Sequence, residues 1–295
     1  MVLEMRDHHH LAPSMAQAFL LVAVVLASAP LSPPAHSLEQ SLQAIATVGV
    51  GSGPAGVAYD PARGEVFVTN LLNKSVSVIS DVTNSVVATV KVGSDPAGDA
   101  YDPAKGEVFV TNALDNTTSV ISDATNKVVA TIAVGSGPTG DAYDPAKGEV
   151  FVADYLGGTV SVISDQTYTV LATVNVGTRP TDIAYDSASG QMLVTIAAND
   201  TVSVVSDTAY AVVATVKVGS NPSGLEYDAA KSEVFVANNG DGTVSVIPAT
   251  FPISTSSTVP EFPAASLPAV ALLVVATVAL ASRRFHNQRT PRGIS

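Results

Sequence analysis

Cysteine is absent from the 295 residues, and none of the five histidines falls inside the part of the chain that repeats. The first absence removes disulfides and thiolate metal sites, so a secreted fold built from this chain takes its stability from its core and from closure of its sheets. The second removes the usual nitrogen ligands for zinc, copper or haem iron, because His8, His9, His10, His36 and His286 all lie near the two ends. Basic residues are scarce too, 14 against 26 acidic, for a net charge of −12. Arg6, Arg283, Arg284, Arg289 and Arg292 lie outside the body between Leu38 and Pro263, which is therefore more acidic still. Such a body argues against nucleic acid or anionic lipid as partners, since both call for a basic face.

What is present is repetition. Tyr-Asp pairs stand at Tyr59-Asp60, Tyr101-Asp102, Tyr143-Asp144, Tyr185-Asp186 and Tyr227-Asp228, a period of 42 residues that never slips. Within one period, Ala55 to Tyr59, Glu65 to Thr69, Ser75 to Ser80 and Ser85 to Val92 are short, β-branched or aromatic runs bounded by Gly, Asn, Asp and Pro. That pattern predicts strands and not helices. A fixed repeat of this length built from four short strands predicts an all-β β-propeller of four-stranded antiparallel blades, in which no unit buries both faces without a neighbour.

The ends of the repeat array bear on closure. Ala44 to Gly51 matches the fourth strand of a unit, as in Val86 to Gly93, while the chain after Ile247 leaves the last unit without a fourth strand. One orphan strand, four complete units and a three-strand remainder make five blades of four if the N-terminal strand completes the last blade. Such closure removes two exposed sheet edges. The expectation is therefore a closed five-bladed ring over residues 38–247, its rival being an open arc or an arc completed by another copy.

Two apolar segments flank the repeats. Met15 to Ser32 is an apolar run followed by small residues and prolines, which reads as a secretory signal occupying residues 1–37, with cleavage near Ala29 or after Ser37. The alternative is an uncleaved N-terminal anchor. Residues 264–282 carry no charge and at about 1.5 Å per residue are long enough for a transmembrane helix. The arginines of residues 283–295 keep that tail cytoplasmic by the positive-inside rule, which places the repeats outside. Between them, residues 248–263 are rich in Pro, Ser and Thr and read as an extended stalk.

Pro260-Glu261-Phe262-Pro263, an apolar helix and then Arg283-Arg284 resemble the archaeal C-terminal sorting signals called PEF-CTERM. That resemblance implies a sorting protease as partner and an anchor that is cut and exchanged. The repeats themselves resemble the YVTN family of β-propellers of archaeal surface-layer and other cell-surface proteins. Phe67-Val68-Thr69-Asn70 and Phe109-Val110-Thr111-Asn112 carry its motif with Phe for Tyr. Phe151-Val152-Ala153-Asp154 and Phe235-Val236-Ala237-Asn238 approximate it, and Leu193-Val194-Thr195-Ile196 departs most. Many relatives have seven blades; five units occur here.

Candidate chemistry within the repeats rests on carboxylates. Asp60 and its four equivalents, and Asp81, Asp123, Asp165 and Asp207, recur in phase and read as turn residues that satisfy local backbone donors, since catalysis needs one asymmetric constellation. Deviations say more. Asp99 and Asp141 stand where other units have Val57, Ile183 and Leu225, near one mouth of the central channel, where they could bind a hard cation such as Ca²⁺ through oxygen. The plainer reading is a solvated strand end. Asp154 and Tyr155 form a second local departure, on the turn after a second strand, placed to contact a ligand. Asn73, Asn116 and Asn199 head sequons in the turn between second and third strands and are glycosylation candidates.

No unit carries an insertion, whereas catalytic propellers usually build pockets from unequal loops. The resulting expectation is a non-enzymatic scaffold at the cell surface, anchored in the membrane by its C-terminal helix. It would contact a cell-envelope protein, a glycan or a surface-layer neighbour, as the YVTN resemblance implies. The alternative is an extracellular hydrolase or lyase using Asp99 and Asp141.

Overall fold

The computed structural model describes residues 44–251. The chain divides into two compact units, Met1–Thr47 and Val48–Ser295, and every strand belongs to the second. The first sheet contains β1 (Pro54–Asp60), β2 (Glu65–Asn70), β3 (Ser75–Ser80) and β4 (Ser85–Lys91). The second contains β5 (Pro96–Asp102), β6 (Glu107–Asn112), β7 (Thr117–Ser122) and β8 (Lys127–Ala133). The third is built from β9 (Pro138–Asp144), β10 (Glu149–Asp154), β11 (Thr159–Ser164) and β12 (Thr169–Asn175), and the fourth from β13 (Pro180–Asp186), β14 (Gln191–Ile196), β15 (Thr201–Ser206) and β16 (Ala211–Lys217). The fifth holds only β17 (Pro222–Asp228), β18 (Glu233–Asn238) and β19 (Thr243–Pro248). Each sheet is an antiparallel meander in sequence order, and the strands fall within a residue of where the apolar runs place them.

Turn chemistry explains the regularity. In the first hairpin of each sheet an aspartate accepts from the amide two residues on, as Asp60 does from Ala62 at 2.8 Å, and Gly64 takes φ +64 to donate back to the Asp60 carbonyl. The same hairpin recurs at Asp102, Asp144, Asp186 and Asp228. The recurrent aspartates are thus turn residues, as their spacing predicts.

Sheets pack face to face in order. β1 lies against β5, β5 against β9, β9 against β13 and β13 against β17, so these first strands line the inner side of an arc. Each joint is apolar at its centre. Phe67, Val76 and Val78 of the first sheet meet Val108, Val110 and Ile121 of the second, and Phe109, Phe151 and Leu193 repeat the role of Phe67, all four fully buried.

The expected ring closure is not found. Residues 44–53 form no strand, Ile45 is 99% exposed, and the fifth sheet has three strands. Nor does β17 pack on β1 in the way that the other first strands pack on one another. The described residues therefore form nineteen strands in an open, propeller-like arc with two free end faces. Ala44–Gly51 has the β-branched composition of a fourth strand but joins no sheet. Pairing it with β19 would close a loop of about 200 residues, and only a ring that already brought its ends together would offset that entropy.

The signal, the stalk from residue 252 on, the sorting motif (Pro260, Glu261, Phe262, Pro263, Arg283, Arg284), the transmembrane helix and the basic tail lie outside the described residues. The first stalk residues prove to belong to the fold, Pro248 ending β19 and Ala249 buried against the fifth sheet. Among the described residues no helix is long and apolar enough to cross a membrane.

Candidate functional site

The inner strands carry the carboxylates that break the repeat, and they do so at the joints. Each first strand has a bulge after its proline, where Gly56, Gly98 and Gly140 let the next strand approach closely. A Cβ at Gly56 would lie 2.3 Å from Asp99 Oδ1 and 2.5 Å from the Ala97 carbonyl. One at Gly98 would lie 2.7 Å from Asp141 Oδ1. Asp99 on β5 therefore reaches back onto β1, and Asp141 on β9 reaches back onto β5. Beside them, Thr69 accepts from the Gly56 amide at 2.7 Å and donates to the Ala97 carbonyl at 3.0 Å, with Thr111 doing the same one joint on.

Burial sets the electrostatics. Asp99 Oδ2 and both carboxylate oxygens of Asp141 are buried without a hydrogen-bond partner. Desolvation raises the Asp99 pKa to about 7, with the Ala58 amide opposing. For Asp141, desolvation first and then the charges of Asp99 and Asp182 push it well above the usual carboxylate range. Neither residue is a solvated strand end.

Asp182 is a third member that the sequence reading passed over. It occupies the position of Gly56, Gly98, Gly140 and Gly224, and this departure from glycine was the available signal. Its carboxylate accepts from the Ile183 amide at 3.0 Å and the Leu225 amide at 3.2 Å, and burial raises its pKa. The three carboxylates follow one another joint by joint and do not converge on a point. Among the described residues no group of three or more such side chains is placed to hold a metal ion.

Asp154 and Tyr155 lie elsewhere, at the end of β10. Asp154 is fully buried. Its Oδ2 accepts from Thr159 at 2.8 Å and Ser161 at 2.9 Å, where Asn70, Asn112 and Asn238 instead donate to the equivalent hydroxyls. Tyr155 is half-buried under the Arg179 guanidinium, 5.8 Å from its ring centre. Asp154 thus replaces a structural asparagine. Burial raises its pKa to about 6, so the ionised form is disfavoured in the fold, and the cost grows as pH rises from about 4 to about 6 and levels off above that. Asp154→Asn is expected to stabilise the protein by about 1–2 kcal/mol at pH 8 and hardly at all at pH 4, measured by urea unfolding at the two pH values.

Joints are latched at their rims by a set of side chains that recurs. Tyr101 donates to Asp60 of the preceding sheet at 2.7 Å, and Arg63 pairs with Asp123 of the following sheet at 3.4 Å. Lys105 with Asp165 and Lys147 with Asp207 repeat the ion pair at 3.7 and 3.5 Å. Tyr168 and Tyr210 donate to Glu107 and Glu149 of the preceding sheets at 2.5 and 2.6 Å, and their rings lie under Lys105 and Lys147. Both tyrosines adopt a left-handed backbone, φ 53 and 47, which disfavours a bulky side chain and which the joint contacts offset. Asp60 and its equivalents are thus joint residues as well as turn residues. Asp123, Asp165 and Asp207 instead serve the joints, the amides of their turn donating to serine hydroxyls such as Ser164 and Ser206.

Asn73, Asn116 and Asn199 are exposed, and each accepts a backbone N–H through its side-chain oxygen.

No family model and no curated protein match the sequence. Among solved structures, Kuenenia stuttgartiensis hydrazine synthase is similar over 70% of this chain and 69% of its own, with a TM-score of 0.59 at 16% identity. A functionally unknown protein from Desulfotomaculum acetoxidans DSM 771 is similar over 70% of this chain and 73% of its own, with a TM-score of 0.59 at 17% identity. The likeness is one of fold. At these identities it carries nothing about chemistry.

Proposed function

We propose that this chain is a YVTN-type β-propeller protein displayed on the cell surface and held by its C-terminal helix, where it serves as a non-enzymatic binding or structural scaffold. The observation that carries this reading is that the in-phase carboxylates are spent on turns and joints, while the out-of-phase ones are separated by successive strands. Exposed sequons suit an outward rim carrying sugar, and the partner would be an envelope protein, a glycan or a neighbouring surface-layer molecule. The PEF-like motif adds a sorting protease. Intact-mass analysis of protein from its native membrane separates a helix that this protease cuts and exchanges for another attachment from one that is retained as the anchor.

The test is a binding screen of full-length protein against cell-envelope glycans and proteins, with and without Ca²⁺, beside an Asp99→Ala, Asp141→Ala variant. Binding that ignores both calcium and the double substitution is expected. A second reading, a hydrolase or lyase acting through the inner carboxylates, draws on the Asp99 proton affinity near neutrality. Turnover of any screened glycan that disappears in the double variant would sink the scaffold reading.

A further inference from the structure

The two end faces of the arc are not ordinary surface. On the fifth sheet Phe235 is 37% exposed, Val244 60% and Val246 52%, although the residues at their positions in the first sheet, Phe67, Val76 and Val78, are fully buried in a joint. On the first sheet Val57 is 66% exposed and Tyr59 51%. Among the described residues each face is one half of a joint without its other half, the first-sheet face being the less open of the two, with Val68 buried and Val66 and Ile79 half-buried.

Polar rims of the two faces match in the same sense. An internal joint places Asp60, Arg63 and Glu65 of one sheet opposite Tyr101 and Asp123 of the next. The free face of the fifth sheet carries Asp228, Lys231 and Glu233 at the first three positions, and the free face of the first sheet carries Tyr59 and Asp81 at the other two. Tyr59 already donates to Asp81 at 3.0 Å, as Tyr101 does to Asp123 at 3.4 Å. Repetition alone does not account for this. At the joint between the fourth and fifth sheets the lysine position is Ser189 and its aspartate position is Ala249, so the ion pair is lost on both sides at once inside the chain. It is kept at the two ends that have no partner sheet among the described residues.

We infer that the free face of the fifth sheet docks on the free face of the first sheet of a second copy, repeating the internal joint. Asp228 then accepts from the partner's tyrosine at position 59, Lys231 pairs with its aspartate at position 81, and Phe235, Val244 and Val246 are covered. The contact is heterologous, with different patches on the two partners, so each copy keeps one free face of each kind. Two copies hold ten sheets, more than the four to eight usual around one channel. The contact therefore adds copies in succession and does not close flat. This inference stands apart from the proposed function, since it concerns only the sheet faces.

The cysteine-free chain allows a direct test. Full-length Tyr59→Cys and Asp228→Cys proteins are mixed and treated with a short bismaleimide. A covalent dimer is expected in the mixture, absent when the first-sheet partner is replaced by a Leu156→Cys protein, whose cysteine sits on an exposed turn of the third sheet. Adding Lys231→Glu to the Asp228→Cys protein is expected to cut the yield at least fivefold, and adding Asp81→Lys to its partner to restore it. No dimer in the mixture up to 100-fold dilution-matched concentrations would overturn the inference. So would a Tyr59→Cys, Asp228→Cys double variant that cross-links within one chain and leaves the mixture of single variants unlinked, because the two faces would then be meeting in one molecule.

Discussion

Phe151→Ala is expected to lower stability by about 3–5 kcal/mol, while Phe235→Ala, the same change at the same position two repeats later, costs roughly 1 kcal/mol. Phe151 is fully buried in the joint between the third and fourth sheets, packed with Val160, Val162, Met192 and Val194. Removing its ring leaves a cavity walled by two rigid sheets that relax little. Phe235 is 37% exposed and has a sheet on one side only, so its truncation opens no enclosed void. Because each unit touches only its neighbours, loss of the Phe151 joint also splits the arc between sheets, and urea unfolding of that variant is expected to lose two-state character. Equal costs for the two substitutions in dilute protein would mean that the fifth sheet is already covered within one chain.

The second large effect is a dependence of stability on pH that two substitutions remove. Asp99 binds its proton up to about pH 7 in the fold, against an ordinary value of 3.8, and Asp141 holds its proton more strongly than usual for the same reason, burial. The folded state therefore binds more protons than the unfolded chain above about pH 4. Stability present at low pH is lost as pH rises from there to about 7, by roughly 2–4 kcal/mol through Asp99 alone, and then levels off on its account. An Asp99→Asn, Asp141→Asn variant keeps the shape without the titration. Its unfolding free energy is expected to fall much less between pH 4 and 8 than that of the parent. Parallel pH profiles for the two proteins would show that these carboxylates are solvated. Asp182 raises the same question more mildly, because two backbone amides already hold its charge.

Much of this was legible without coordinates, and the reason is locality. Strand positions, the aspartate and glycine turns and the apolar alternation depend on residues within one 42-residue unit, where each strand pairs with its immediate neighbour in the chain. Asp99 and Asp141 stood out because they broke that unit. What they do did not, since their burial comes from Gly56 and Gly98 on the preceding strand, where a missing side chain admits a neighbour's carboxylate. Asp154 looked like a functional departure for the same reason and proves to be an exchanged partner for two hydroxyls. The rim latch escaped because Tyr101 and Asp60 stand 41 residues apart, and each already had a local explanation.

The strands, their meander order and the need of every sheet for a neighbour follow from the order of residues, because hydrogen-bond pairing and one-sided burial are settled over a few positions. How many neighbours each sheet finds emerges only once the sheets are packed together. Whether the fifth sheet meets the first depends on the small rotation that each joint imposes, summed over four joints, and no short stretch of residues encodes that sum. Ala44–Gly51 has the composition of a closing strand, but it forms none and the fifth sheet keeps three strands.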